Sequence, residues 1–63
     1  MIDLKTEREK AGLTQEALGD KVGVTRKAVS HYERGRRRPS PETAQRIGAA
    51  LRIDWTRFFV DGG

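Results

Sequence analysis

Between residues 14 and 35 the chain reads TQEALGDKVGVTRKAVSHYERG, and the glycine at its centre limits what this stretch can become. Ala17, Leu18 and Val22 recur at helical spacing before Gly23, and Val29, Tyr32 and Glu33 do so after it. A glycine at that point takes a positive φ without steric penalty and ends the first helix. Thr14 is placed to cap the first helix and Thr25 the second, each hydroxyl accepting from an amide one turn in, while Val24 between them supplies a buried plug. The second helix therefore runs from Arg26 to about Arg34 and closes at Gly35. Val29, Tyr32 and Glu33 share its inner side; Arg26, Lys27, Ser30, His31 and Arg34 share the other.

Gly19 fixes how the two helices meet. A glycine inside a helix costs about 1 kcal/mol relative to alanine, so its presence asks for a reason. Close approach of the second helix supplies one, because two helices joined by so short a turn cross at roughly 90 to 120 degrees and leave little room at the crossing. The stretch is a helix-turn-helix candidate.

Charge singles out the same region. Net charge over the 63 residues is +4. Residues 25 to 38 hold six basic residues, Arg26, Lys27, Arg34, Arg36, Arg37 and Arg38, against the single acid Glu33, a local +5, so the rest of the chain sums to −1. A polyanion is the partner that such a footprint fits. Composition excludes other classes. Hydrophobic residues are 35% of the chain and charged residues another 35%, which suits short amphipathic helices around a thin core, and no alternating strand-like run occurs. The absence of cysteine and the presence of one histidine leave no disulfide or zinc framework and fit a reducing cytosol. No apolar run approaches membrane-spanning length and residues 1 to 20 lack a signal peptide's apolar stretch, so the expectation is a soluble, cytoplasmic protein. His31 lacks a second histidine, a cysteine or a placed serine, so it founds neither a metal site nor a catalytic one. A single domain over residues 1–63 buries only about 60% of its unfolded surface, too little for an enzyme's pocket.

The flanking segments complete the expected fold. Residues 2 to 10 read as a first helix with Asp3 near its start, Leu4, Arg8 and Ala11 on one stripe, and Gly12 closing it. Arg8 and Glu33 both lie on inward faces. An isolated buried charge costs several kcal/mol, so the two are expected to pair. Arg36 to Arg38 form a charged arm. Ser40 caps a fourth helix with Pro41 at its first position and Glu42 in its first turn, and Ala44, Ile47 and Leu51 form its buried stripe. Arg52 ends it, Ile53 packs, and Asp54 caps a short last helix carrying Trp55, Phe58 and Phe59. Those three aromatics cannot all face inward, so at least one is expected at the surface. Asp61-Gly62-Gly63 reads as a disordered tail.

Arg8, Leu13-Thr14-Gln15, Ala17-Leu18, Gly23-Val24-Thr25, Val29, Tyr32-Glu33, Gly35, Pro39 and Ala50-Leu51, in this order and spacing, carry a resemblance that spans nearly the whole chain. The sequence resembles the DNA-binding domain of phage repressor and Cro-type proteins, the XRE-like helix-turn-helix family. It departs from that pattern at Gly19, where such sequences more often have alanine, and at Trp55 and Arg57. The resemblance implies an all-α, five-helix, lambda-repressor-like domain with an Arg8–Glu33 bridge. It further implies a transcriptional regulator, most often a repressor, that binds double-stranded DNA.

With the helix 26–34 in the major groove, Arg26, Lys27, Ser30 and His31 are the candidate base contacts, Arg26 first among them; Arg26 and Lys27 have phosphate as their alternative target. Gln15, Thr25, Arg34, Arg36, Arg37 and Arg38 are the candidate phosphate contacts. Trp55, Arg57 and Phe59 are the candidate dimer contacts, in a homodimer weak in solution that assembles on a palindromic operator. No cofactor, metal or small-molecule substrate is expected, and the bound protein would sit on the nucleoid. The competing reading is an antitoxin- or adaptor-type module that uses the same fold to bind a protein.

Overall fold

Each helix start is set by a short polar side chain that accepts from the backbone amide three residues on. In the computed structural model, which describes residues 3–59, Asp3 accepts from Thr6, Thr14 from Ala17, Thr25 from Ala28 and Ser40 from Thr43. Four α-helices follow from these caps: α1 Leu4–Lys10, α2 Gln15–Val22, α3 Arg26–Glu33 and α4 Pro41–Leu51. Each cap contributes about 0.5 to 2 kcal/mol, which matters in helices too short to persist alone. No strand occurs among the described residues.

The expected fifth helix is a 3₁₀ segment, Trp55–Phe59. Asp54 accepts from the Thr56 amide at 3.0 Å and from its hydroxyl at 2.6 Å, and the Arg57 amide returns to the Asp54 carbonyl at 3.1 Å. Five residues closed by such a three-residue return form tight turns rather than an α-helix. The Thr56 hydroxyl and amide hold the Asp54 carboxyl below the ordinary carboxylate value, as the Thr6 hydroxyl and amide do for Asp3. The small stability these two groups confer is present above that ordinary value, 3.8, and is lost as pH falls through the lowered ones.

Leu4, Leu18, Val22, Val29 and Ile47 form the core, with Leu13, Val24, Tyr32, Ala50, Leu51 and Phe58 packed around them. α2 is central: it packs on both α3 and α4, while α1 leans on α3 and the 3₁₀ segment covers α4. Ala11, expected on the buried stripe of α1, is exposed. It is the C-cap of that helix, where the chain already turns toward Gly12, so it leaves the stripe. Trp55, Phe58 and Phe59 are all half-buried, so no single aromatic is left outside; the surplus apolar area is shared among the three. The tail 61–63 and the start of the first expected helix at residue 2 lie outside the described residues.

One local device appears twice. Gly23 ends α2 at φ 78°, and Arg52 ends α4 at φ 57°. In both places the next amide reaches back to a helical glycine: Val24 to the Gly19 carbonyl at 2.9 Å and Ile53 to the Gly48 carbonyl at 3.0 Å. This is a Schellman ending, which folds the chain across the last turn of its own helix. The glycine makes the crossing possible. A Cβ on Gly19 would stand 2.6 Å from the Val24 carbonyl oxygen, and one on Gly48 would stand 2.9 Å from both the Ile53 carbonyl oxygen and the Trp55 Cβ. Both distances are below ordinary van der Waals contact. The reason expected for Gly19, close approach of the second helix, is corrected: the obstacle is the turn's own backbone at Val24 and Thr25, ahead of α3, and Gly48, which the sequence reading passed over, is bare for the same kind of reason.

Candidate nucleic-acid interface

α3 is held on one side and open on the other. Val29 is fully buried, Tyr32 is half-buried and the Glu33 side chain is turned inward, as the wheel requires, while Arg26, Lys27 and Arg34 are exposed. Ser30 and His31, expected on the free face, are half-buried, because they lie at the edges where that face meets the packed side. Arg36, Arg37 and Arg38 continue the exposed surface beyond the helix. The His31 carbonyl accepts from the Arg36 amide at 2.9 Å, so the loop starts by folding back on α3.

Among the described residues, Arg26, Lys27, Arg34, Arg36 and Arg37 enter no ion pair. Of the seven basic residues elsewhere three are paired among the described residues, Arg8 with Glu33, Lys10 with Glu7 and Arg46 with Glu42, so what sets the α3 surface apart is that its unpaired cations gather in one stretch. Cations left without an acid on one contiguous surface raise the local potential and remain available to an anion. Arg38 lies by an aromatic ring, its guanidinium carbon 5.7 Å from the centre of the Phe59 ring.

The expected Arg8–Glu33 pair is formed, and it is more than a pair. Arg8 Nε donates to Glu33 Oε2 at 2.6 Å, and Nη1 donates to the Leu13 carbonyl at 2.7 Å. Their side chains are 10% and 5% exposed, so this ion pair is shielded from screening in a way that the other two are not. The Glu33 hydrogen bond pushes the Arg8 guanidinium further above its ordinary range, against the opposing effect of burial. Gln15 joins as a third member, its Nε2 donating to Glu33 Oε1 at 3.0 Å. This changes the expectation for Gln15: its amide is drawn inward to a carboxylate instead of standing free at the start of α2. One N–H and the carbonyl oxygen of that amide keep their capacity for a partner outside. The sequence reading missed this triad because Gln15 and Glu33 are far apart in sequence and only the crossing of α2 and α3 brings them together.

Thr25 is committed in part. Its oxygen accepts from the Ala28 amide at 3.1 Å, which leaves the hydroxyl proton for another acceptor. Trp55 and Phe59 contact each other edge to face at 6.1 Å between ring centres, and Arg57 beside them is exposed. A shallow, open depression of about 350 Å³ is lined by Lys21, Arg46, Ala49 and Ala50, a set without a hydroxyl, thiol or carboxylate.

Comparison with known proteins matches this geometry to one class. Residues 4–58 match the helix-turn-helix family model. The chain belongs to that family and forms an XRE-like helix-turn-helix domain, with α2 and α3 as the motif. It is similar to an HTH-type transcriptional regulator of Methanothermobacter thermautotrophicus, with 46% identity over 48 residues, covering 76% of this chain and 70% of that one. It is also similar to the HTH-type transcriptional regulator YqaF of Bacillus subtilis, 38% identical over 58 residues, or 92% of this chain and 76% of the relative. A third relative, y4wC of Sinorhizobium fredii, is 34% identical over 58 residues that make up 41% of its length.

Proposed function

We propose that the protein is a sequence-specific DNA-binding transcriptional regulator, acting as a repressor, that binds a palindromic operator as a dimer with α3 in the major groove. The observation that carries this reading is the row of exposed basic side chains on α3 and the loop after it, of which Arg26, Lys27, Arg34, Arg36 and Arg37 have no ion-pair partner among the described residues. The names of the relatives point the same way. Arg26 and Lys27 stand in the first turn of α3, the part of a recognition helix that meets base edges, and both reach guanine O6 and N7 from there. Ser30 and His31 contribute from the edges of the face. Gln15, the α2 N-terminus, the Thr25 hydroxyl, Arg34 and Arg36 to Arg38 hold phosphates and set the register. Such a regulator works in the cytoplasm, on the nucleoid.

Selection from a random-sequence duplex pool followed by sequencing tests this directly. A palindromic consensus is the expected outcome; recovery of sequences no better than background would move the protein to the adaptor or antitoxin class. On the selected site, Arg26→Ala should cost about 1 to 3 kcal/mol at one base position per half-site, whereas Gln15→Ala should weaken all sequences equally. An equal loss on every sequence for Arg26→Ala would reassign that side chain to phosphate.

The loop should be read through salt. Each phosphate contact releases counterions, so removing Arg36, Arg37 or Arg38 should lower the slope of log affinity against log salt by about one unit per lost contact. Three single variants with the wild-type slope would take the loop out of the interface.

Dimerisation is assigned to Trp55, Arg57 and Phe59. A recognition helix reads only a few base pairs, and two of them roughly 34 Å apart read successive major grooves on one face. A patch of three residues falls short of the roughly 1,000 Å² typical of a stable complex, so the free protein should be mostly monomeric at micromolar concentration and pair on DNA. Sedimentation of the free protein and the stoichiometry of the complex decide this. A 1:1 complex on one half-site, indifferent to Trp55→Ala and Arg57→Glu, would exclude the dimer.

A further inference from the structure

His31 is the chain's only histidine, and α3 carries it among cations. Lys27 stands about one helical turn before it and Arg34 nearly one turn after, both exposed and without an ion pair among the described residues. The loop returns to the same point, since the Arg36 amide donates to the His31 carbonyl at 2.9 Å. α2 and α1 pack where Val29 and Glu33 lie, each two residues from His31 and so on another side of the helix. Among the described residues no carboxylate of those helices, Glu7, Glu9, Glu16 or Asp20, forms an ion pair with the imidazole, and Glu33 is committed to Arg8 and Gln15. Their cations are engaged elsewhere too: Arg8 is held by Glu33, and Lys21 lines the depression beside α4. The His31 ring is half-buried, yet its nitrogens reach solvent. They enter no hydrogen bond, and no buried side-chain nitrogen or oxygen among the described residues lacks one.

We infer that DNA binding takes up a proton at His31, whose imidazolium donates to an acceptor on the duplex, so that α3 binds more tightly as pH falls. A histidine changes charge between pH 5 and 8, and its neutral ring has one N–H donor where the imidazolium has two. The free protein sets no carboxylate beside this ring. A duplex supplies the acceptor, either a phosphate oxygen or guanine N7 and O6 in the major groove, and a charged donor binds each of these more strongly than a neutral one. A group that holds its proton more firmly in the complex than in the free protein adds affinity in full below its free pKa. That increment is lost as pH rises through the pKa of the complex. Lysine and arginine keep their charge throughout this range, so the cations around His31 set the affinity and His31 makes it respond to pH.

This inference rests on the proposed DNA-binding function, and the measurement separates the two. Affinity is read between pH 6 and pH 8 at several salt concentrations, on a duplex of mixed sequence and on the site recovered by selection. Protein that binds neither duplex with salt-dependent affinity would remove the DNA reading and this inference together; salt-dependent binding that is flat in pH would overturn this inference alone. The wild type should bind about three- to tenfold more tightly at pH 6 than at pH 8 per protomer, tenfold being the effect of one pKa unit. His31→Gln, which stays polar but cannot charge, should lose that dependence, and so should His31→Arg, which is charged throughout. A His31→Gln variant with the pH dependence of the wild type would overturn the inference. The two sources of the acceptor give different patterns, both in its favour. A phosphate shows the effect on both duplexes and steepens the salt dependence by about one unit at pH 6, whereas a base confines the effect to the selected site. Thermal melting of each protein at both pH values confirms that folded domains are being compared.

Discussion

Glu33→Ala should lower the stability of the domain by about 3 kcal/mol or more, the loss typical of breaking a buried ion pair from one side. The substitution strands the Arg8 guanidinium, only 10% exposed at its side chain, with the Leu13 carbonyl as its remaining acceptor. It also leaves the Gln15 amide without its carboxylate. In a domain this small, 1 kcal/mol moves the melting temperature by about 4 to 8 °C, so the variant should melt more than about 10 °C below the parent. Arg8→Ala should behave similarly. The contrast is Glu42→Ala, which removes an ion pair of nearly the same length, 2.8 Å, whose partners are 56% and 75% exposed. That change should cost less than about 1 kcal/mol, since exposed pairs are screened and their side chains give up entropy to form them. Replacing Arg8 by methionine and Glu33 by leucine together should recover most of the loss, because the penalty lies in the orphaned charge more than in the missing attraction. Urea titrations of the parent and the four variants decide the matter. A loss below about half a kcal/mol for Glu33→Ala would mean that water reaches the pair more freely than its burial indicates.

Gly19→Val should be the second severe change. Its Cβ would meet the Val24 carbonyl oxygen at 2.6 Å and the Thr25 backbone at 3.3 Å, and backbone in a turn closed by the Val24-to-Gly19 hydrogen bond cannot swing aside as a flexible side chain would. Overpacking of this kind costs about 1 to 3 kcal/mol, and the branched methyls of valine place it toward the upper end. Alanine should lose less than valine but still lose stability, because its Cβ meets the same backbone oxygen at 2.6 Å and the gain of about 1 kcal/mol in helix propensity offsets only part of that. The valine variant should lose DNA affinity beyond its loss of stability, since the turn it displaces sets the angle at which α3 leaves α2. A valine variant as stable as the parent, with unaltered affinity, would show that the turn is looser than the contact distances require.

Much of the molecule was legible in the chain. The caps at Thr14, Thr25 and Ser40, the glycine endings, the inward stripe of Val29, Tyr32 and Glu33 and the basic excess after Thr25 were each visible within a few residues of sequence, because capping, φ preference and helical period are local properties. The Arg8–Glu33 pair was legible for another reason: two charges on inward faces of a thin core have few alternatives to each other.

What the sequence left open depends on where separate segments meet. Gly48 carries the same signal as Gly19, a helical glycine four residues before a left-handed end, but its end is Arg52, and a non-glycine residue in that conformation is held there by tertiary packing rather than announced by its type. The inward turn of Gln15 and the contact of the Arg38 guanidinium with the Phe59 ring likewise join residues that only the packing of separate segments brings together. The sequence by itself determined which segments are helical, which faces they bury and where the positive charge gathers, since these follow from the preferences of neighbouring residues. Only the tertiary structure decided that the aromatics of the last segment share their exposure against α4 and that one of the three loop arginines lies by an aromatic ring, because both rest on contacts between segments that the chain keeps apart.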